Sequence, residues 1–366
     1  MFEKRLQTLR TRFEGLGVDT VWIIQPENRR YLSGFKATDG QLTESSGSLL
    51  ISLDRALLLT DPRYTAQAEQ EACGFEVITY REGVVNALPE LFDRLHIRKL
   101  GFEAAYLIWE LHQKALEKAS QHAPAIALVP LSSLVEDLRE TKETQEVEAL
   151  STSAQLMSAV LTQVIDELRP GQAERDVAWR IETLIREHGA DGAAFPPIVA
   201  SGPNGALPHA VPSDRTLEEG EPIILDVGAM VDGYCSDMSR TVFLGEPMAD
   251  FKRVYMIVRE AQVAAMESIR PGMKTADADS IAREIITNAG FGDFFGHSLG
   301  HGVGLATHES PAVGPLKPKV LRDGMVFTIE PGIYLPGKGG VRLEQMVTLE
   351  DGKVRILTGN NNFYSF

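Results

Sequence analysis

The stretch EPIILDVGAMVDGYCSDMSRTVFL, residues 221–244, decides how the second half of this chain folds. Two runs of large and β-branched apolar residues flank Val231-Asp232-Gly233, and Asp-Gly between such runs is the strongest short hairpin signal. Two registers are open. A loop centred on Val231-Asp232 puts Asp226 directly opposite Asp237, whereas a loop centred on Asp232-Gly233 makes them diagonal neighbours. Either way both acids share one face of the sheet, with Cβ atoms roughly 5–8 Å apart. Asp226 follows Ile223, Ile224 and Leu225, so its burial is expected. A buried carboxylate needs a cation or a cage of hydrogen bonds. Two on one face repel unless something positive stands between them.

The device occurs twice. LEEGEPIILDVG from Leu217 and LRDGMVFTIEPG from Leu321 share the pattern L-x-x-G, five residues, an acid, one residue, Gly, with Asp226 and Glu330 104 positions apart. Arg169-Pro170-Gly171 and Arg270-Pro271-Gly272 open helical stretches that close at Gly189 and Gly290, an offset of 101. One R-P-G alone would be common helix-entry chemistry, because proline suits a first turn. Two motifs in the same order at nearly the same offset predict a duplication, each half a pair of helices followed by strands. In the second half Glu330 ends the strand MVFTIE. Glu344 lies within VRLEQMVTL, which turns at Asp351-Gly352 into KVRIL. Four carboxylates, two from each half, are therefore expected on strands.

Three of the eight histidines fall in GHSLGHGVGLATHE, residues 296–309. His301 stands between Gly300 and Gly302, which allow close backbone approach and unusual dihedral angles. It is the imidazole best placed to join the acids. A proton-sharing acid pair or a salt-bridged cluster accounts for two acids, but not for four with histidines. That donor set suits a two-metal site for divalent manganese, cobalt or zinc. His308, and His209 at the end of the loop ASGPNGALPH, are expected off the metal as proton donors or oxyanion partners. His297 is expected to line the substrate pocket.

The 366 residues suit two domains. With 43% hydrophobic and 24% charged residues the composition is globular, and a net charge of −15 argues against nucleic acid as partner and against anionic membrane surfaces. No apolar run approaches the roughly 20 residues needed to span a bilayer. Cys73 and Cys235 make no disulfide framework, which points to the cytoplasm. The chain opens on an amphipathic helix with Phe2, Leu6, Leu9 and Phe13 in one stripe. Strand-like VDTVWIIQP and a hairpin of LLISL and ALLLT at Asp54-Arg55 follow. Helical YTAQAEQEA, VNALPELFDRL and YLIWELHQKALEKASQ then alternate with the strands FEVITY, KLGFE and AIALVPL. This predicts a three-layer α/β domain. It has no glycine-rich phosphate cradle. The charged stretch LSSLVEDLRETKETQEV, residues 131–147, places the boundary near residue 135, giving domains 1–135 and 136–366.

IILDVGAMVDGYCSDMSRT, HSLGHGVGLATHE, TIEPGIY and GVRLEQMV, in that order, resemble the pita-bread metallopeptidases, in particular the proline-specific branch of Xaa-Pro aminopeptidases and Xaa-Pro dipeptidases (prolidases). ENRRYLSGF and LTDPRYTAQA are similar to the creatinase/prolidase N-terminal domain. The resemblance implies an α/β domain of that type ahead of an α+β pita-bread catalytic domain with an internal pseudo-twofold repeat. It implies hydrolysis of the Xaa-Pro bond, at the N-terminus of peptides or in dipeptides with proline second, through a hydroxide bridging two divalent ions. Manganese leads, with cobalt or zinc as alternatives. Carried over residue by residue, the metal ligands fall on Asp226, Asp237, His301, Glu330 and Glu344. Asp237 and Glu344 would bridge, Asp226 would chelate one ion, and His301 with Glu330 would complete the other. Glu330 would also carry the proton. His209 and His308 match histidines that bind substrate and intermediate, His297 matches one near the leaving-group pocket, and Arg342 matches an arginine of the proline-specific branch. That arginine would meet a carboxylate bidentately or brace Glu344. A homodimer is implied as well. Gln345 departs from the Asp often found there, and Ser239 from a common Thr. Cys235 reads as a small buried residue. A methionine aminopeptidase-like enzyme, a creatinase-like hydrolase and a non-catalytic interaction module are the alternatives on this scaffold.

Overall fold

Six short strands carry the first of two units in the computed structural model, which describes residues 1–41, 43–122 and 125–359 and divides into Met1–Arg139 and Glu140–Phe366. They are β1 (Thr20–Ile23), β2 (Ser48–Ser52), β3 (Ala56–Thr60), β4 (Glu76–Thr79), β5 (Lys99–Glu103) and β6 (Ala127–Leu131), in the order β4-β3-β2-β1-β5-β6. β2 and β3 form the antiparallel hairpin expected at Asp54-Arg55, while β3–β4 and β5–β6 run parallel. Trp22, Leu50, Leu57 and Leu59 pack with Leu88 and Phe92 of the helix Val84–Arg94 and with Ala115 and Ala119 of the helix Trp109–Gln121. The alternate residues Val21, Ile23, Leu49, Ile51 and Leu58 point to the other face and are just as buried. Covered faces on both sides are what three layers require. The opening helix is interrupted after Arg10 and resumes at Phe13, and Phe2 stays only partly buried while Leu6, Leu9 and Phe13 are in the core. The helix Pro26–Ser33 carries no periodic signal. Proline starts it, and the Glu103 carboxylate accepts hydrogen bonds from Ile24 N, Gln25 N and Asn28 Nδ2 at that end.

In the second unit the helices Thr144–Glu167 and Glu174–Glu187 are matched by Ala249–Ser268 and Thr275–Asn288. Their connections agree to individual hydrogen bonds. Gly171 and Gly272 have φ of 88° and 90°. Their N–H groups donate to Leu217 O at 2.9 Å and Leu321 O at 2.8 Å, and those leucines return N–H bonds to Gln172 O and Met273 O. R-P-G does not open the helices, as the sequence suggested. They begin three residues later, so both prolines lie in the turn between helices rather than in a first turn.

The first half contributes β7 (Gly192–Ala193), β8 (Ile198–Ser201), β9 (Pro222–Val227), β10 (Ala229–Val231), β11 (Tyr234–Cys235) and β12 (Met238–Phe243), ordered β11-β10-β7 and β12-β9-β8. The second half contributes β13 (Gly300–Gly302), β14 (Glu309–Val313), β15 (Val326–Ile329), β16 (Gly332–Leu335), β17 (Gly339–Arg342), β18 (Gln345–Glu350) and β19 (Lys353–Ile356). These order as β14-β13-β15-β18-β19 and β16-β17. Asp232 and Gly233 have φ of 45° and 71°, so the first hairpin turns through two left-handed residues, the geometry that suits the twist of paired strands. Val231 then pairs with Tyr234, and the same register sets Asp226 opposite Ser239. Asp226 and Asp237 are diagonal neighbours. Each half packs its own core, around Met157, Ile181 and Leu225 in the first and Val258, Ile286 and Phe327 in the second.

Gly300 and Gly302 are required by proximity, not by dihedral angle. Neither has a positive φ. A Cβ at Gly300 would lie 1.9 Å from Thr328 O, and one at Gly302 would lie 2.3 Å from Ser310 O. Both obstacles are backbone and cannot yield cheaply. Gly300→Ala should destabilise the protein by about 3 kcal/mol or more in urea unfolding. A loss under about 1 kcal/mol would show that β13 can move away from β15 at little cost.

Candidate metal centre

Asp226 is the only one of the four acids inside a strand, β9. Asp237 falls between β11 and β12, Glu330 between β15 and β16, and Glu344 between β17 and β18. The expectation of four strand acids is corrected accordingly: three sit where the ladder is interrupted. Across from Asp237, a Cβ on Gly228 would meet Ser236 O at 2.2 Å, so the two chains close tightly at that break. Long-range bonds hold the others. Glu330 N donates to Leu299 O at 2.8 Å and Glu344 N to Ser239 O at 3.1 Å, the latter joining the two halves. The buried Gln262 amide donates to Ile329 O and Leu343 O, the carbonyls just ahead of Glu330 and Glu344.

Asp237, His301 and Glu344 each place a donor atom within 4.8 Å of the other two. His301 Nε2 lies 3.5 Å from Asp237 Oδ2 and 3.3 Å from Glu330 Oε1, with Nδ1 turned to Gly302 O at 3.1 Å. Thr328 Oγ1 donates to Glu330 Oε1 at 2.9 Å and Ser239 Oγ to Glu344 Oε2 at 2.8 Å. Asp226 is less enclosed than its apolar neighbours suggest, its side chain 14% exposed against 6% for Asp237. Its Oδ2 accepts from Arg342 Nη2 at 2.6 Å, while the buried Oδ1 has no hydrogen-bond partner among the described residues.

These acids crowd one another. Burial, then Glu344, Asp226 and Glu330, hold the Asp237 carboxyl well above the usual range. Burial, then Glu330 and Asp226, do the same to Glu344, and burial raises Glu330. Burial pushes His301 down, towards the neutral form that ligates metals. Packed carboxylates, a neutral imidazole and an orphaned carboxylate oxygen make a site that a multivalent cation would relieve.

The remaining histidines surround this cluster unevenly. The His308 ring centroid lies 4.1 Å from that of His301, and burial together with the His301 and His209 imidazoles pushes its pKa down to about 4. His209 is exposed. His297 turns Nδ1 to Ser298 O at 2.8 Å and Nε2 to Tyr334 OH at 3.0 Å. Arg342, 3% exposed, donates to Tyr334 OH at 2.8 Å, Ser239 Oγ at 2.9 Å and Pro208 O at 3.2 Å as well as to Asp226. Its carboxylate partner is thus the protein's own Asp226, met through one nitrogen, and it reaches Glu344 only by way of Ser239. Tyr334 and Thr328 escape the sequence reading, since a phenol or hydroxyl in an apolar strand carries no signal of its own. Gln345 accepts from Arg240 at 3.2 Å and from Thr358. Cys235 is buried, its Sγ 3.8 Å from Leu305 O.

The sequence model of metallopeptidase family M24 matches residues 148–351. The chain belongs to metallopeptidase family M24. The model of the Creatinase/Prolidase N-terminal domain matches residues 5–141 of this M24 peptidase. A Xaa-Pro dipeptidase of Pyrococcus furiosus is 35% identical over 357 residues, 97% of this chain and 98% of that one. A Xaa-Pro dipeptidase structure from Bacillus anthracis superposes with a TM-score of 0.92 at 36% identity, covering 98% of each chain. An X-Pro aminopeptidase structure from Thermotoga maritima does so with 0.84 at 36%, covering 95% of this chain and 98% of the other. The duplicated unit is therefore the pita-bread catalytic fold, behind an N-terminal domain of the creatinase/prolidase type. The family implies divalent metal ions, and the donor set around Asp226 Oδ1 and His301 Nε2 fits them.

Proposed function

We propose that this M24 peptidase hydrolyses the Xaa-Pro bond of dipeptides or of longer peptides, at a centre for two divalent ions, manganese first. Domain 136–366 carries the reaction and domain 1–135 precedes it. The observation that carries the reading is the approach of Asp237, His301 and Glu344, from three separate parts of the chain, to within 4.8 Å. Asp237 and Glu344 would be shared between the ions, Asp226 would hold one, and His301 and Glu330 the other. Such ions, when bound, supply Lewis acidity that makes water ionise near neutral pH and polarises the scissile carbonyl. The protein's groups do the rest. Glu330, in the ionised form in which it would hold the ion, takes the proton of the attacking water and delivers it to the leaving nitrogen. His308, uncharged at neutral pH, and His209 offer N–H groups to the carbonyl oxygen as it gains charge. Arg342 fixes Asp226, and His297, oriented by Tyr334, shapes the leaving-group side. The names of the relatives above support the proline preference. We assign a homodimer in the cytoplasm. Both cysteines are free, and no described helix is long and apolar enough to cross a membrane.

The assay compares Ala-Pro, Ala-Pro-Ala, Ala-Ala-Ala and Met-Ala with manganese added to the stripped protein. At least one proline substrate should be cleaved about 100-fold faster than the others. Preference for Met-Ala would favour the methionine aminopeptidase-like alternative. Silence on both proline peptides with metal bound would end the proposal.

A further inference from the structure

We propose that Glu174 is a positioning residue for His209, through the loop 201–213; this rests on the reading of His209 as a substrate-side histidine. Glu174 is the first residue of the helix Glu174–Glu187 and is 0% exposed. A carboxylate so deeply placed must be compensated, and here five donors do it. Oε1 accepts from Ser201 N at 2.7 Å and Ser201 Oγ at 2.8 Å. Oε2 accepts from Asn204 Nδ2 at 2.8 Å, Ser213 N at 3.1 Å and Ser213 Oγ at 2.7 Å. The donors come from both ends of one loop, and Leu207-Pro208-His209 lies in its middle. Pro208 O meets Arg342, so the tip leans on the residue that holds Asp226. Burial fixes the loop only in part: Ala210 is buried against Ala200, Ile224 and Tyr334, whereas Leu207 is 57% and Val211 78% exposed. The polar anchor ties its two ends together.

The duplicated half supplies an internal control. Thr275 occupies the equivalent position, and it makes the same backbone contact: Glu174 N donates to Arg215 O and Thr275 N to Lys319 O, both at 2.9 Å. There a hydroxyl suffices, accepting from Lys319 N at 3.1 Å. The fold of a half therefore does not need a carboxylate at this place. It is present in the half whose loop carries His209, whereas His308 of the other half has the ring of His301 beside it.

Glutamine substitutes poorly. Whichever way its amide turns, its NH2 faces a backbone N–H that cannot accept, Ser201 N on one side or Ser213 N on the other, even where a serine hydroxyl turns to accept from it. One backbone N–H at the base of the loop then loses its acceptor, and that end shifts. A displacement of about 1 Å in a group that meets the substrate can cost about 100-fold in rate. The test is a double-mutant cycle on the manganese-loaded enzyme with its best Xaa-Pro substrate. Glu174→Gln should lower kcat about 100-fold in the parent but only within about 3-fold in a His209→Ala background. Manganese content should not change. Ser213→Ala, at an exposed position that leaves the carboxylate in place, guards against a folding defect and should show a smaller loss with the same dependence on His209. Equal losses in both backgrounds would overturn the proposal alone. A parental rate in His209→Ala by itself would overturn the reading of His209, and the proposal with it.

Discussion

Exchanging Glu344 for glutamine should leave a folded protein that has lost on the order of 10³-fold or more in kcat and at least one of its two metal ions. Glu344 is 1% exposed and accepts a hydrogen bond from Ser239 Oγ, which a glutamine oxygen can still receive. Shape is preserved and only the charge is removed. Because burial, Glu330 and Asp226 all oppose ionisation of Glu344, the neutral amide resembles the protonated carboxyl that the metal-free site favours. The variant stripped of metal should therefore unfold at a temperature equal to or above that of the stripped parent. A dead enzyme with an undiminished fold separates loss of the centre from loss of structure. Full manganese content with more than about a tenth of the activity would show that Glu344 is not a ligand.

The second large effect couples metal to pH. In the stripped protein Asp237, Glu330 and Glu344 hold their protons to higher pH than they would when unfolded. The folded state then binds more protons than the unfolded one, so its stability falls as pH rises through those raised values. The stripped protein should be less stable at pH 8 than at pH 6. Divalent ions reverse the sign, since they bind the ionised carboxylates and expel protons. Manganese at about 1,000 times its dissociation constant should stabilise the protein by about 4 kcal/mol, or raise the melting temperature by about 10 °C, at pH 8. The gain should shrink towards pH 5, where protons compete. Thermal melts across this range, with proton release on titration, give the measurement. A shift that grows on acidification would mean that the cation binds elsewhere.

Much of this protein was legible from local spacing. The Asp-Gly turns, the alternation in the first 135 residues and the L-x-x-G repeat each depend on neighbours within a dozen positions, and backbone chemistry at that range is written directly in residue types. The same range explains the failures. The sequence left the hairpin register open by one residue, and only the left-handed angles of both Asp232 and Gly233 chose the diagonal. It put Glu330 and Glu344 on strands because apolar runs surround them, although both fall at breaks fixed by distant bonds to Leu299 and Ser239.

By itself, then, the sequence determined a duplicated unit with acids and histidines in mirrored places, because hydrophobic period and turn chemistry act along the chain. The tertiary structure alone decided that Arg342 holds Asp226, that Tyr334 orients His297 and that Glu174 ties down the His209 loop. Those contacts join residues 116, 37 and 27 to 39 positions apart. A buried polar side chain takes whichever partner the packed halves bring within hydrogen-bond reach, and no local pattern records that choice.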